Sequence, residues 1–198
     1  MLTARFLDPA IAAEEAAVEA NEQVPEPDYD DFAAFRLLTH AELEGYFESK
    51  AGQCLDSLET TFKANQTLTA RLSSLIFLYL WTERRQLSWP ANDGEDGQSN
   101  NTGYCKSLAH EALGFGRQFV KSNNGIKSAS IHVLSALMGY YPGEVDQLLV
   151  DELNQYGRKR GDVAHASWAH NTRTFDSALI EKNRLVQILK LTKAFYEA

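Results

Sequence analysis

Apolar residues recur at three- and four-residue steps through most of the chain, the spacing that puts them on one face of a helix. From Asp31 to about Gln66, Phe32, Phe35, Leu38, Leu43, Phe47, Cys54, Leu55, Leu58 and Phe62 trace such a stripe and predict one long helix. Gly45 and Gly52 lower its intrinsic stability. A second helix is predicted from about Leu68 to Leu87, and its run LIFLYLW is apolar nearly all round, which places it centrally in the core. Pro90 to Gly103 holds almost no apolar residue and many turn formers, so it reads as an exposed loop.

Helical spacing returns from Tyr104 to Ser122 and again from about Ser128 to Tyr140, with NNG and YPG as the breaks. A further amphipathic run begins near Glu144 and passes Leu148, Leu149, Leu153 and Tyr156. The last predicted helix covers roughly Phe175 to Glu197, with Leu179, Ile180, Leu185, Ile188, Leu189, Leu191 and Phe195 as its stripe. No alternating run is long enough to demand a strand, and no internal repeat is evident. The expected fold is an all-α bundle of about five or six main helices. Residues 1–28 form an N-terminal arm, with a short helix over the alanine- and glutamate-rich residues 10–22, and residues 29–198 form the helical domain.

Composition narrows the function classes. The 198 residues carry a net charge of −8, which disfavours indiscriminate attraction to nucleic acid, so any polyanion must be met by a local patch. Cys54 and Cys105 fit neither a disulfide framework nor a metal knuckle, and both are expected to be buried thiols in a reducing compartment. The N-terminal stretch lacks the apolar core of a leader, and LIFLYLW is far short of the about 20 residues that span a bilayer. A cytoplasmic protein with no membrane contact is the expectation.

Familiar catalytic motifs are absent. No histidine follows a glutamate by three positions, as the metal-binding bundles require. His40 stands near Glu42 and Glu44, but a step of two points side chains apart on a helix. There is no GxxxxGKS loop and no GxSxG elbow. No metal and no cofactor is implied. His110 and His132 sit within amphipathic helices as structural or partly exposed residues, and His170 lies near a helix end, where the dipole favours it.

The stretch RKRGDVAHAS, residues 158 to 167, is the exception. Arg158, Lys159 and Arg160 could simply decorate a helix C-terminus and complement its dipole. At about 100° per residue, Arg158, Asp162 and His165 share a face, and Arg158 to Asp162 is a plausible ion pair. Arg160 and His165 stand about 140° apart around the axis. For those two to act together, either the helix is distorted near Gly161 or a second copy completes the site.

These residues resemble the signature of the HEPN superfamily, all-α domains with an arginine, four to six intervening residues, and a histidine on a late helix. The match is Arg160 to His165, followed by Ala166. The segments LLTHAELEGYFE and NNGIKSASIHVLSALMGYY are similar to the RiboL-PSP-HEPN and MAE-like branches, so the resemblance covers most of residues 30–195. Gly161 departs from the polar residue that often follows the arginine; Asp162 supplies it one position later. Arg158 also satisfies the wider spacing, although Arg160 is favoured. Ser167 stands where some toxin branches have a tyrosine.

The resemblance implies a homodimer that cuts RNA without metal in a cleft between subunits. In that reading His165 is the acid/base, Arg160 the phosphate clamp, and Asp162 an orienting residue, with Arg158 and Lys159 as contacts to the RNA backbone. These residue types suit the chemistry, because imidazole titrates near neutrality and guanidinium holds phosphate bidentately. An antitoxin or other controlling protein is implied as partner, in a toxin or defence setting. The alternative is a catalytically silent HEPN-like module that dimerises or binds RNA or protein.

Overall fold

The computed structural model describes residues 1–26, 28–83, 97–141, 143–165 and 176–197, and for 97–102 and 162–165 the backbone alone. Every regular element among the described residues is helical. They are α1 (Leu2–Phe6), α2 (Asp8–Ala20), α3 (Tyr29–Asn65), α4 (Ala70–Thr82), α5 (Gly97–Ser122), α6 (Ser128–Leu137), α7 (Gln147–His165) and α8 (Ala178–Tyr196). Among the described residues there are eight helices where five or six main ones were expected: α3 to α8 are the main ones, α2 is the helix expected over residues 10–22, and α1 is the addition. No described helix is long and apolar enough to cross a membrane.

The helix boundaries follow from capping chemistry. Asp28 accepts from the amides of Asp30 and Asp31 at 2.9 and 3.3 Å and so starts α3. Thr69 caps α4 through the Leu72 amide at 3.2 Å, and Ser177 caps α8 through that of Ile180 at 3.4 Å. Asp146 accepts from the Leu148 amide at 2.9 Å at the head of α7. Asn21 and Gln66 end α2 and α3 in the left-handed region, where the Gln66 amide bonds back to Phe62.

The chain forms two compact units, Met1–Tyr46 with Gly125–Ile131 and Val145–Ala198, and Phe47–Asn124 with His132–Glu144. In the first, Leu7, Phe32, Phe35, Ile126, Ile131, Leu149, Leu153, Tyr156 and Ile188 are fully buried. The N-terminal helices belong to this packing, since Asp8 pairs with Lys182 at 3.0 Å and Glu14 accepts from the Ala178 amide at 3.3 Å. In the second unit, Phe47, Leu55 and Phe62 of α3 join Leu72 and Leu75 of α4, Ala109, Ala112 and Leu113 of α5, and Leu134 and Leu137 of α6. α5 closes tightly on α3 and α6 because position 116 is glycine; a Cβ there would lie 2.9 Å from a Leu55 methyl and 3.2 Å from one of Leu137.

Four expectations change. α4 is not buried all round: Leu72, Leu75 and Tyr79 point inward, while Phe77 and Trp81 are 67% and 75% exposed and stack on one another. A step of two from Leu75 turns Phe77 to the far side of the helix. The predicted loop over Pro90 to Gly103 becomes helix from Gly97, because extending α5 backwards satisfies backbone groups within the helix whatever the side chains; residues 90–96 lie outside the described residues. Cys54 is half-buried and Cys105 exposed, both free, since Cys105 falls on the solvent side of α5. In α8 the buried positions are Ala178, Glu181, Leu185, Ile188 and Thr192, whereas Leu179, Ile180 and Leu189 are about half exposed. The inward stripe of α8 therefore carries two polar residues.

Candidate functional site

α7 is α-helical from Gln147 to His165, straight through Gly161. Its backbone therefore keeps Arg160 and His165 five helical positions apart, about 140° around the axis. Arg158 is exposed and Arg160 half-buried. The side chains of Asp162 and His165 lie outside the described residues, as does His170, so the Arg158 to Asp162 pair does too. Lys159 pairs with Asp176, which also takes Arg184 at 2.9 Å. The Lys159 hydrogen bond, with help from Arg184, holds the Asp176 carboxyl below the usual carboxylate range.

The charge on Arg160 is felt at His40, on α3. His40 is 3% exposed, and its Nδ1 lies 3.7 Å from Glu44 Oε2 one turn along the helix. Burial, then Arg160, then Lys127 push the imidazole down to about 4, so it is neutral at pH 7. Arg160, Lys127 and His40 thus come from α7, from the residue before α6, and from α3.

Local packing explains why Lys127 is there. Gly157 leaves room on α7 for the chain at 126–127; a Cβ at 157 would sit 3.3 Å from Lys127 Cγ and 3.6 Å from Ile126 Cγ1. Asn154, one turn earlier, accepts from the Ser128 amide at 3.5 Å and ties down the start of α6. Ile126 is fully buried beneath.

Beside His40 lies the most deeply buried charge of this unit. Arg36 Nε donates to Glu181 Oε2 at 3.2 Å while its Nη2 meets Oε1 of the same carboxylate, and both residues are 1% exposed. Arg184 adds a second cation 3.6 Å from Glu181. Tyr156 is also interior, and burial pushes its phenol up, with the Thr39 hydroxyl pulling the other way. Arg36, His40 and Glu44 are successive four-residue steps along α3.

The step of two that sets His40 apart from Glu42 does not apply to Glu44, four residues on. The available signal was the four-residue ladder Arg36, His40, Glu44, which puts three ionisable groups on one stripe of a helix. Among the described residues no three of His, Cys, Asp and Glu gather as a set of metal ligands would. What meets here instead is a buried, neutral imidazole that feels the charges of Arg160 and Lys127 and has the Glu44 carboxylate one turn along its own helix.

No family model matches the chain, and no curated protein and no solved structure matches it.

Proposed function

We propose that the chain is a metal-independent endoribonuclease of the HEPN type, cleaving RNA at a site completed by a second copy of itself. The observation that carries this reading is the half-buried Arg160 on α7, next to exposed Arg158 and on the same unbroken helix as Asp162 and His165, in a protein of net charge −8. A cation held partly away from water interacts with phosphate more strongly than one on an open surface. His40 supports the arrangement by staying uncharged, since an imidazolium there would repel Arg160.

In this reading the ribose 2′-oxygen attacks phosphorus, the bond to the 5′-oxygen breaks, and a 2′,3′-cyclic phosphate and a 5′-hydroxyl result. His165 moves the protons, Arg160 holds the phosphoryl oxygens as negative charge builds, and Asp162 orients the imidazole. Arg158, exposed beside them, meets the RNA backbone. Lys159 is committed to Asp176 and stiffens the helix end behind the site. A cytoplasmic setting and a controlling partner such as an antitoxin belong to the same reading, because unregulated RNA cleavage damages a cell.

One observation favours a second reading. The unbroken helix through Gly161 keeps Arg160 and His165 on different faces, which fits a silent HEPN-like module that dimerises and binds RNA or a protein without cutting. The two separate on RNA incubated with the purified chain and a chelator. The enzyme releases fragments ending in 2′,3′-cyclic phosphate, and His165→Ala or Arg160→Ala slows release by about 100-fold or more. RNA left intact by the wild-type chain overturns the enzyme reading.

A further inference from the structure

A cleft of about 800 Å³ opens between the first three residues, α3 and α8, and nothing in the arrangement around Arg160 uses it. Its size lies within the range of small-molecule sites. Leu2, Leu43, Leu185 and Leu189 line it, and so does Thr192. Thr192 is 6% exposed, and its hydroxyl has no hydrogen-bond partner among the described residues. It does not even take the carbonyl four residues back, the usual partner of a helical threonine.

An unmet buried hydroxyl is costly, and valine would fill the same space without that cost. A ligand group that meets the hydroxyl, once the side chain turns it from its enclosed position towards the cleft, removes the penalty. The rim limits what that ligand can be. Glu42, Lys193 and Glu197 stand there, with the Tyr46 hydroxyl donating to Glu197 Oε1 at 3.1 Å. Two carboxylates stand against the Lys193 ammonium and the Met1 amino group, so the rim favours neither sign, and a charged head of either sign would lose its hydration among the leucines.

We propose that this cleft binds an uncharged amphipathic small molecule, with an apolar body against the leucines and one hydrogen-bonding group on the Thr192 hydroxyl. The site is independent of the RNA reading, and neither stands or falls with the other.

The full chain, with its leucine methyl groups isotopically labelled, is titrated with octanamide and followed by NMR. Saturable shifts are expected at Leu43, Leu185 and Leu189, with octanoate and octylamine each binding at least about fivefold more weakly. Thr192→Val, which keeps the shape, weakens octanamide about fivefold, the weight of one hydrogen bond. Leu189→Trp, at a half-exposed position, fills the cleft and abolishes the shifts. Absence of saturable shifts at these leucines overturns the proposal, as does equal binding of octanamide by Thr192→Val, or tighter binding of either charged probe.

Discussion

Arg36 of α3 and Glu181 of α8, 145 positions apart in the chain, meet as a fully buried ion pair through two contacts between guanidinium and carboxylate. Such a pair contributes little over a well-packed apolar replacement, but removing one member leaves the other buried and uncompensated. Glu181→Gln is expected to lower stability by about 3 kcal/mol. The double variant Arg36→Met with Glu181→Leu recovers most of that loss. Urea unfolding of the three proteins checks both statements; a double variant less stable than Glu181→Gln contradicts the argument.

His40 makes the first unit acid-sensitive in a defined window. Its folded pKa of about 4 lies below the ordinary 6.5, so between these values the unfolded chain takes up a proton that the folded chain refuses. Stability is therefore unaffected by this group above pH 6.5, falls as the pH drops towards 4, and loses nothing further below that. The total is on the order of 3 kcal/mol. His40→Gln should flatten this part of the profile of urea midpoint against pH. Arg160→Gln removes one of the two cations that lower the pKa, so the imidazole titrates at higher pH by NMR in that variant.

The glycines divide by what surrounds them. A Cβ at Gly45 or Gly52, inside α3, meets nothing within 4 Å, so Gly45→Ala and Gly52→Ala should each raise stability by roughly 0.5–1 kcal/mol through helix propensity and a less flexible unfolded chain. Gly139 is the reverse case. Its φ is +95°, and a Cβ would fall 2.3 Å from Arg71 Nε. Gly139→Ala should cost about 1–2 kcal/mol. Thermal unfolding of the three variants distinguishes the two classes by sign.

Helices α3 to α8 were legible because apolar spacing and turn formers are local signals, and both ends of α3 fall within two residues of the expected ones. The start of α5 was not, since GQSNNTG has poor helix formers and owes its helical backbone to continuation from Tyr104 onward. The inward stripe of α8 was misjudged for a different reason. Apolar identity alone cannot show that Glu181 turns inward to Arg36, whose own burial depends on a residue 145 positions away. At the candidate site, Arg160 was marked by its place in RKRGDVAHAS, but its neighbours Lys127 and His40 lie on other elements, and only the packing of α7 on residues 126–127 brings them close. Lys159 looked equivalent to Arg158 in sequence, yet Asp176, 17 positions on, claims it.

The unbroken geometry of α7 gives the dimeric site its sharpest test. With Arg160 and His165 about 140° apart on one helix, a composite site takes Arg160 from one copy and His165 from the other. Arg160→Ala and His165→Ala chains, each inactive alone, should then restore cleavage when mixed and allowed to exchange subunits. Half of the dimers are then mixed, and each mixed dimer carries one intact site and one doubly damaged site, so activity reaches about a quarter of wild type. If the two residues instead act within one chain, every site in the mixture keeps a defect and no activity returns. Gly161→Ala reports on the same point: a Cβ there meets nothing within 4 Å among the described residues, so a site that needs no helix distortion keeps full activity in that variant.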